Sequence, residues 1–356
     1  MNELFEKYLK SKAKVVDDEI EKLFPHDGTI QSWEYILGKA TYTYDIDTLN
    51  KSITIPFYEF MDRGGKRWRP VLMMLAYEAL TGKSGDDVKS LCPALEILHN
   101  GTICIDDIED DSKLRRDKPC LHLIYGNDIA INVGNFMYFI AFMHLSKNPL
   151  NLDESKQLKL MKVFSEEGTQ LHAGQAMDIL WHKAGKEIIS EKEYMQMCAY
   201  KTGVLPRLAF RVASVLADTN SVTEKKLASF GEAIGVAFQI QDDILNVTES
   251  KLSDMKGIGE DIHEGKRTLM VLRVLEVGSD SDKKRLLEIL KKHSEDKKEL
   301  LEAISFFEKY DAISYAKKVA RDLVKSSMGD IKDVLNESQA KNTLIEFANY
   351  LIERDI

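Results

Sequence analysis

The sequence has few prolines, glycines and cysteines, and it has no excess of basic residues. Only 7 prolines and 20 glycines interrupt 356 residues, so long segments are free to form helices. The formal net charge of −9 argues against a protein that wraps nucleic acid. No CxxC pair or histidine cluster accompanies the four cysteines, Cys92, Cys104, Cys120 and Cys198. Neither a zinc site nor a disulfide framework is therefore indicated.

A long uninterrupted hydrophobic run is also lacking. The most apolar stretch, residues 129–143, contains Asn132 and Asn135 and is shorter than the roughly 20 residues that a membrane-spanning helix requires. Residues 1–16 mix Glu, Lys and Asp with apolar residues and have no uncharged core of a secretory signal. We therefore expect no membrane span and a cytoplasmic location, which the scattered cysteines also fit.

Apolar residues recur at three- and four-residue spacing along most of the chain, which is typical of amphipathic helices. Helices are predicted over residues 4–23, 69–80, 88–111, 128–145, 154–180, 191–217, 224–245 and 312–335. Residues 129–143 and 204–216 are apolar around most of their circumference, as in the central helices of a bundle. With no linker and no fixed repeat, we expect an all-α fold: a single large helical bundle around a central apolar cavity, one domain over residues 1–356.

Carboxylates crowd the segment ICIDDIEDDSKLRR, which runs through Asp106, Asp107, Asp110 and Asp111. Because residues four apart share a helix face, Asp106 and Asp110 point the same way, and their mutual repulsion favours a bound cation. Oxygen ligands favour magnesium or calcium, and the spacing of an EF-hand is absent. A solvated acidic face is the alternative. The apolar segment 95–105 before the cluster places it instead at the inner end of a buried helix.

A second acidic pair, Asp242 and Asp243, follows another apolar helix in AFQIQDDILN. If the two helices face one another, their carboxylates would bind divalent ions that hold a diphosphate. Arginine offers such a ligand two-pronged contacts, and glycine lets the backbone approach it closely. Basic residues that would complete the site, although each alone also fits a surface charge, are Lys66, Arg67, Arg69, Arg115, Arg116, Lys201, Lys256 and Lys266.

Six sequence blocks follow one another between Gly64 and Leu269: GGKRWRP, DDIEDDSKLRR, GQAMD, KTG, FQIQDD and GEDIHEGKRTL. In content and order they resemble the signature motifs of the trans-isoprenyl diphosphate synthases, or polyprenyl synthetases, and especially the geranylgeranyl diphosphate synthases. The resemblance implies a magnesium-dependent prenyltransferase that condenses isopentenyl diphosphate with an allylic diphosphate, head to tail. The allylic substrate would be dimethylallyl, geranyl or farnesyl diphosphate, and the enzyme would be a homodimer.

The same resemblance implies residue roles. Three magnesium ions would be held by Asp106, Asp107, Asp110, Asp242 and Asp243. The allylic diphosphate would bind to Arg115, Lys201, Lys256 and Lys266, and the isopentenyl diphosphate to Lys66, Arg69, His99 and Arg116. Oxygens would face the developing carbocation from Gln239, Thr202 and the Lys201 carbonyl. The site near the metals would also be lined by Gln175 and Asp178.

Product length would depend on what blocks the growing tail. Gly101 and Thr102 are small where farnesyl-making relatives carry an aromatic residue, so the tunnel would be open as far as a floor of Tyr138, Phe139 and His172. Geranylgeranyl diphosphate is the expected product, with farnesyl or longer diphosphates as alternatives. Two positions depart from the family pattern: Asp117 replaces a glycine after the double arginine, and Asn246 replaces an aspartate at the end of the second motif.

Two other functions stay open. A class I terpene cyclase shares the helical fold and the first acidic motif but has no pocket for a second substrate, and Lys66, Arg69 and Arg116 argue for such a pocket. A non-catalytic synthase subunit tends to lose one aspartate motif, whereas this chain keeps both nearly whole.

Overall fold

The computed structural model describes residues 3–183, 186, 188–248 and 259–353, and these residues are mostly helical. The predicted all-α fold is confirmed. The chain divides into two compact units, which are described separately below. The first comprises residues 1–165, 209–220 and 335–344, and the second comprises residues 166–208, 221–334 and 345–356. That the chain forms one domain stays a prediction.

The first unit consists of helices and one very short hairpin. Its helices are α1 (Glu3–Leu23), α2 (Ile30–Leu37), α3 (Ile46–Leu49), α4 (Ile55–Met61), α5 (Trp68–Thr81), α6 (Cys92–Glu109), α7 (Leu121–Tyr125), α8 (Asn127–Ser146) and the start of α9 (Glu154–Lys183). A π-helical turn (Asn50–Thr54) precedes α4, and a 3₁₀ segment (Gly85–Leu91) precedes α6. The two-residue strands β1 (Leu114–Arg115) and β2 (Lys118–Pro119) pair antiparallel.

The second unit contains the end of α9 and most of the later helices. These are α10 (Glu191–Lys201), the start of α11 (Val204–Leu216), α12 (Ser221–Thr248), α13 (Glu260–His263), α14 (Leu269–Val277), α15 (Asp280–Lys292), α16 (Lys297–Lys309), α17 (Ala312–Lys332) and the end of α18 (Gln339–Glu353). Helix α12 packs along α17. A capping box of Ser190 and Glu193 satisfies backbone N–H groups at the start of α10.

The helix predicted over residues 191–217 is wrong in one respect, because it is broken into α10 and α11 at Thr202 and Gly203. The break coincides with a close approach to α12. A Cβ added to Gly235 would lie only 2.5 Å from the Cα of Gly203, so both positions need glycine. Helix α10 thus ends at Lys201, one of the predicted site residues.

Helix α8 is longer and more exposed than its composition suggests. It has 20 residues, and by length and composition alone it is the described helix apolar enough to cross a membrane. It packs along α6, but less than half of its most apolar segment is buried. Phe139 is 74% exposed and Ile131 is 43% exposed. Part of the apolar surface of this predicted central helix is therefore exposed in the single chain.

Candidate active site

The first acidic cluster lies at the carboxyl end of α6. Asp106, Asp107 and Glu109 fall in its last turn and Asp110 is its C-cap, and that turn contains no basic residue. The carboxyl end of a helix carries partial negative charge, so carboxylates there are unfavourable unless a cation offsets them. The position of the cluster thus adds an electrostatic reason for a bound cation to the one that the sequence provides.

The aspartates of this cluster differ in exposure. Asp106 and Asp110 are partly exposed, whereas Asp107 is 1% exposed. Asp107 Oδ1 accepts hydrogen bonds from Arg115 Nε at 2.8 Å and from Arg115 Nη2 at 2.5 Å. Burial raises the pKa of the Asp107 carboxyl, and Arg115 opposes that shift. Asp107 therefore fixes the direction of the Arg115 side chain.

Arg115 and Arg116 belong to the short β1–β2 hairpin. The two residues between the strands, Arg116 and Asp117, both have positive φ, at 53° and 62°. A two-residue hairpin turn with both central residues at positive φ is the type I′ pattern, whose second central position favours glycine. The geometry explains why a glycine suits position 117. The Asp117 side chain itself is exposed.

Arg69 and His99 are half-buried side chains of the first unit that form a basic cluster, called the basic pocket below. Arg69 Nη1 lies 2.8 Å from His99 Nε2. Burial, together with the nearby guanidinium groups of Arg69 and Arg116, holds the pKa of His99 well below its usual range. The imidazole is then neutral, Nε2 accepts from Arg69, and Nδ1 carries the proton.

Two donors of this pocket have no hydrogen-bond partner within the part of the chain that the structure describes: Arg69 Nε and His99 Nδ1. Burial also lowers the pKa of Arg69 to about 10. Buried donors without acceptors are costly, and an anion would satisfy both. Lys66, which the sequence also assigns to this site, is exposed on the Gly64–Arg67 loop that leads into α5.

The second acidic motif lies near the end of α12, and its two aspartates also differ in exposure. Asp242 is exposed and Asp243 is 4% exposed. Tyr194 Oη donates to Asp243 Oδ2 at 2.7 Å, and Gln239 Nε2 donates to Asp243 Oδ1 at 2.8 Å. Burial and the neighbouring carboxylate of Asp261 raise the pKa of the Asp243 carboxyl well above its ordinary range.

Thr202 and Gln239 are bonded to each other as well. Thr202 Oγ1 donates to Gln239 Oε1 at 2.7 Å, so a chain of hydrogen bonds runs from Thr202 through Gln239 and Asp243 to Tyr194. Lys201 Nζ donates to Asp178 Oδ2 at 2.6 Å. The structure thus brings together several predicted residues in one pocket of the second unit, lined among others by Asp178, Tyr194, Lys201, Gln239, Asp243 and Lys266.

Lys266 and Asn246 both contact the segment around α13. Lys266 Nζ lies 3.0 Å from Asp261 Oδ1 and 2.5 Å from Glu264 Oε2. Asn246 Oδ1 accepts from the backbone N–H of Asp261 at 3.2 Å. The residue that departs from the family pattern therefore supports the turn that presents Lys266. The predicted Lys256 lies outside the described residues, and Gln175 is half-buried in α9.

The residues predicted to set product length come from both units. Gly101 packs against α8, where an added Cβ would lie 2.8 Å from Met137 Cβ and 3.1 Å from Tyr138 Cδ1. Thr102 is half-buried, and its hydroxyl donates to the His99 carbonyl. Phe139 and His172 are exposed in the first and second unit, respectively. The structure therefore places Tyr138 beside Gly101, and the roles of the set stay predictions.

Sequence reasoning missed several residues that hold the predicted ones. Asp261 lies within the GEDIHEGKRTL block, so its position in that block could have indicated that it belongs to the site. Glu96 and Asn100 precede the first motif by about three and two helical turns, respectively, but their importance depends on contacts with distant loops. Tyr194 gives no local signal either, because its partner Asp243 is 49 residues away.

Comparison with known proteins identifies a family. A family model described as "Polyprenyl synthetase" matches residues 50–307, more than half of the chain. The chain is 32% identical to the geranylgeranyl pyrophosphate synthase of Geoglobus acetivorans, over 98% of each protein. It is 35% identical to the short chain isoprenyl diphosphate synthase of Methanothermobacter thermautotrophicus, over 82% of this chain and 87% of that protein.

A solved structure is similar over the whole chain. The geranylgeranyl pyrophosphate synthetase of Pyrococcus horikoshii is 30% identical, covers 99% of both chains and superimposes with a TM-score of 0.83. The residues matched by the family model include all six sequence blocks.

Proposed function

Because the chain belongs to the polyprenyl synthetase family, we propose that it is a prenyltransferase that condenses isopentenyl diphosphate with an allylic diphosphate, head to tail, to give geranylgeranyl diphosphate. The observation that carries the proposal is that two buried nitrogen atoms of the basic pocket, Arg69 Nε and His99 Nδ1, have no acceptor among the described residues. A metal-free anion site of this kind suits the second substrate. A terpene cyclase has no second diphosphate to bind there.

In this function the pocket holds isopentenyl diphosphate. Arg69 and Arg116 supply fixed guanidinium donors, neutral His99 donates from Nδ1, and Lys66 adds a mobile charge from the loop. Because the nitrogen atoms Arg69 Nε and His99 Nδ1 are buried, their attraction for a diphosphate is screened less than it would be on the surface.

The aspartate motifs suit magnesium and the allylic diphosphate. No three acidic, histidine or cysteine side chains of the described residues converge on a metal by themselves. Magnesium is commonly held by one or two carboxylates together with substrate phosphates, so separated carboxylates such as Asp106, Asp110 and Asp242 fit it. We propose three ions, as in the family. The diphosphate is also bound by Arg115, Lys201 and Lys266, with Lys256 outside the described residues.

The reaction begins with cleavage of the allylic C1–O bond, whose electron pair leaves with the diphosphate. When bound, magnesium neutralises that leaving group. The double bond of isopentenyl diphosphate then attacks C1, forming a C–C bond, and a proton is lost to the departed diphosphate. Thr202 and Gln239, oriented by their mutual hydrogen bond, direct oxygens at the allylic cation and stabilise it.

Product length, assembly and location are finer parts of the proposal. Geranylgeranyl diphosphate is supported by the relatives and by the small residues Gly101 and Thr102. Homodimer formation is supported by the exposed apolar side of α8, including Ile131 and Phe139, since a second copy would cover it. The reducing cytoplasm suits four free, buried cysteines.

The decisive experiment incubates the purified protein with magnesium, isopentenyl diphosphate and one primer at a time: dimethylallyl, geranyl or farnesyl diphosphate. Products are dephosphorylated and measured by mass spectrometry. Geranylgeraniol as the main product supports the proposal. Farnesol or longer alcohols keep the reaction but reject the product length, and no condensation with any primer favours a cyclase or a non-catalytic subunit.

A further inference from the structure

Two buried polar residues of α6, Glu96 and Asn100, lie one helical turn apart beside the Arg69–His99 pocket. Glu96 is 2% exposed and Asn100 is fully buried. Asn100 Nδ2 donates to the Glu96 carbonyl at 2.7 Å and to Glu96 Oε1 at 3.0 Å, so Asn100 Oδ1 points to other elements. Buried polar groups are retained only when they are bonded, so their partners indicate their purpose.

Glu96 anchors the Gly64–Arg67 loop through Arg67. Its Oε1 accepts from Arg67 Nη1 at 3.0 Å. The same guanidinium donates from Nε to Asp17 Oδ1 at 2.8 Å and from Nη2 to the Met61 carbonyl at 2.9 Å. Arg67 has a φ of 52°, which a residue with a large side chain adopts only when its surroundings hold it there. Arg67 therefore anchors the loop that carries Lys66 and leads into Arg69.

Asn100 anchors Arg116, which comes from the β1–β2 hairpin. Asn100 Oδ1 accepts from Arg116 Nη2 at 3.2 Å, and Arg116 Nη1 donates to the Gly64 carbonyl. A Cβ on Gly65 would lie 3.2 Å from both Arg116 Nη2 and Arg67 Nη1, so the two guanidinium groups meet over this glycine. These contacts close a ring through Gly64, Arg67, Glu96, Asn100 and Arg116.

Glu96 is also the buried counter-charge of this arginine-rich region. Burial lowers the pKa of Arg69 and of Arg116, and the Glu96 carboxylate opposes both shifts. Neutralising Glu96 would leave the guanidinium groups of Arg67, Arg69 and Arg116 to repel one another at low dielectric. The pocket would then lose its arrangement even where each arginine is still present.

We propose that Glu96 and Asn100 are positioning residues that hold Lys66, Arg69 and Arg116 in the geometry that binds isopentenyl diphosphate. The inference rests on the proposed function, since it assigns this pocket to that substrate. The two residues act through the Gly64–Arg67 loop and the Arg116 turn, and the allylic substrate does not depend on either.

The test compares Glu96→Gln and Asn100→Ala with a matched control, Glu167→Gln. Glu167 is a 1% exposed carboxylate that accepts from Arg207 Nε at 2.8 Å in the second unit. Replacing Glu167 with glutamine also neutralises a buried carboxylate that accepts from an arginine, but it removes no hydrogen bond of the ring. We expect both ring variants to raise KM for isopentenyl diphosphate by about tenfold or more, the effect of losing one charge-assisted hydrogen bond. KM for the allylic substrate is expected to stay at its wild-type value in all three variants.

A second readout is independent of turnover: calorimetric binding of inorganic diphosphate to each variant in EDTA. Weaker binding by both ring variants, with Glu167→Gln like wild type, supports the proposal. Unchanged KM and affinity in either folded ring variant would overturn it, as would equal rises in KM for both substrates. If Glu96→Gln does not fold, Asn100→Ala decides, since it keeps the Arg67–Glu96 ion pair. If the wild-type protein condenses no substrate, the proposed function is rejected. The calorimetric comparison of diphosphate binding still tests the role of the ring in that case.

Discussion

The two aspartates at the start of each motif differ in what surrounds them. Asp107 accepts from Arg115, and Asp243 accepts from Tyr194 and Gln239, whereas Asp242 is exposed. A carboxylate that already accepts from protein donors orients those donors. Asp107 thus orients Arg115, and Asp243 orients Tyr194 and Gln239, while the magnesium-ligand roles given to the aspartates of both motifs stay predictions.

The first prediction concerns Asp106. Asp106→Asn removes one negative charge from the end of α6, and we expect the condensation rate at saturating magnesium to fall by about 100-fold or more. The control is Asp111→Asn, because Asp111 is exposed and paired with Lys113 at 2.6 Å. That variant is expected to keep the wild-type rate. Full activity of Asp106→Asn would show that this carboxylate holds no catalytic ion.

The second prediction concerns Tyr194. Tyr194→Phe removes the donor to Asp243 Oδ2, so we expect a lower kcat with little change in either KM, and a loss of about 1–3 kcal/mol in the free energy of unfolding. Steady-state kinetics give kcat and the KM values, and urea unfolding gives the free energy of unfolding. Tyr315→Phe is the control, since it removes a hydroxyl that donates to Glu191 at an exposed site. Equal effects of the two substitutions would count against an orienting role for Tyr194.

At the scale of elements, α6 and α8 approach each other through glycine. A Cβ on Gly101 would lie 3.1 Å from the Gly134 carbonyl, and a Cβ on Gly134 would lie 2.6 Å from Ile105 Cδ1. Interiors are too closely packed to absorb such additions without moving a helix. Gly101, predicted from the sequence to keep a tunnel open, thus also has a packing role that its position in the chain does not indicate.

The third prediction follows from this crossing. Gly101→Ala is expected to lower the free energy of unfolding by about 1–3 kcal/mol, the usual cost of overpacking a core. Gly168→Ala in α9 is the matched control, because among the described residues no heavy atom outside the neighbouring residues and backbone of its own helix lies within 4 Å of its added Cβ. It should stabilise the protein by up to about 1 kcal/mol, since alanine is the better helix former. Urea unfolding measures both, and a neutral Gly101→Ala would mean that α6 and α8 separate easily.

The fourth prediction concerns the hairpin turn. Asp117 has a φ of 62°, a conformation that alanine adopts at a cost of about 1 kcal/mol and glycine adopts freely. Asp117→Ala is therefore expected to be less stable than Asp117→Gly by about that amount, with the wild type between them or equal to glycine. Thermal unfolding of the three proteins gives the order. Equal stability of the alanine and glycine variants would show that the turn relaxes to another conformation.

For the whole molecule, stability depends on pH through buried groups such as His144, which is not one of the predicted site residues. His144 is buried in α8, and its Nε2 donates to the Ser90 carbonyl at 2.6 Å. Burial lowers the pKa of His144 below its ordinary value. Below about pH 6.5 the unfolded chain therefore takes up a proton at this residue that the folded chain does not, and folding loses free energy as the pH falls.

The fifth prediction isolates that proton. His144→Gln keeps a donor to Ser90 but does not titrate, so its free energy of unfolding is expected to fall less between pH 6.5 and 5. The slopes of mutant and wild type should differ by up to about 1.4 kcal/mol per pH unit. Urea unfolding at several pH values gives both curves. Parallel curves would contradict the assignment of the linked proton to His144.

How much the sequence predicts depends on the range of the interaction. Helices, the two acidic motifs and the basic residues near glycine pairs follow from local periodicity and spacing, and the structure contains them. Two features do not follow: the break after Lys201, which a glycine on α12 imposes, and the ring through Glu96, which joins residues 29 apart. Both depend on packing between distant segments, and no local pattern encodes that packing.

The basic pocket around Arg69 and His99 has one practical consequence. Its donors recognise oxygen atoms on phosphorus by charge and direction, and inorganic phosphate and sulfate present similar oxygens. A phosphate buffer or an ammonium sulfate step would therefore fill the pocket and compete with isopentenyl diphosphate. Kinetic constants for this enzyme are best compared in a medium free of such oxyanions.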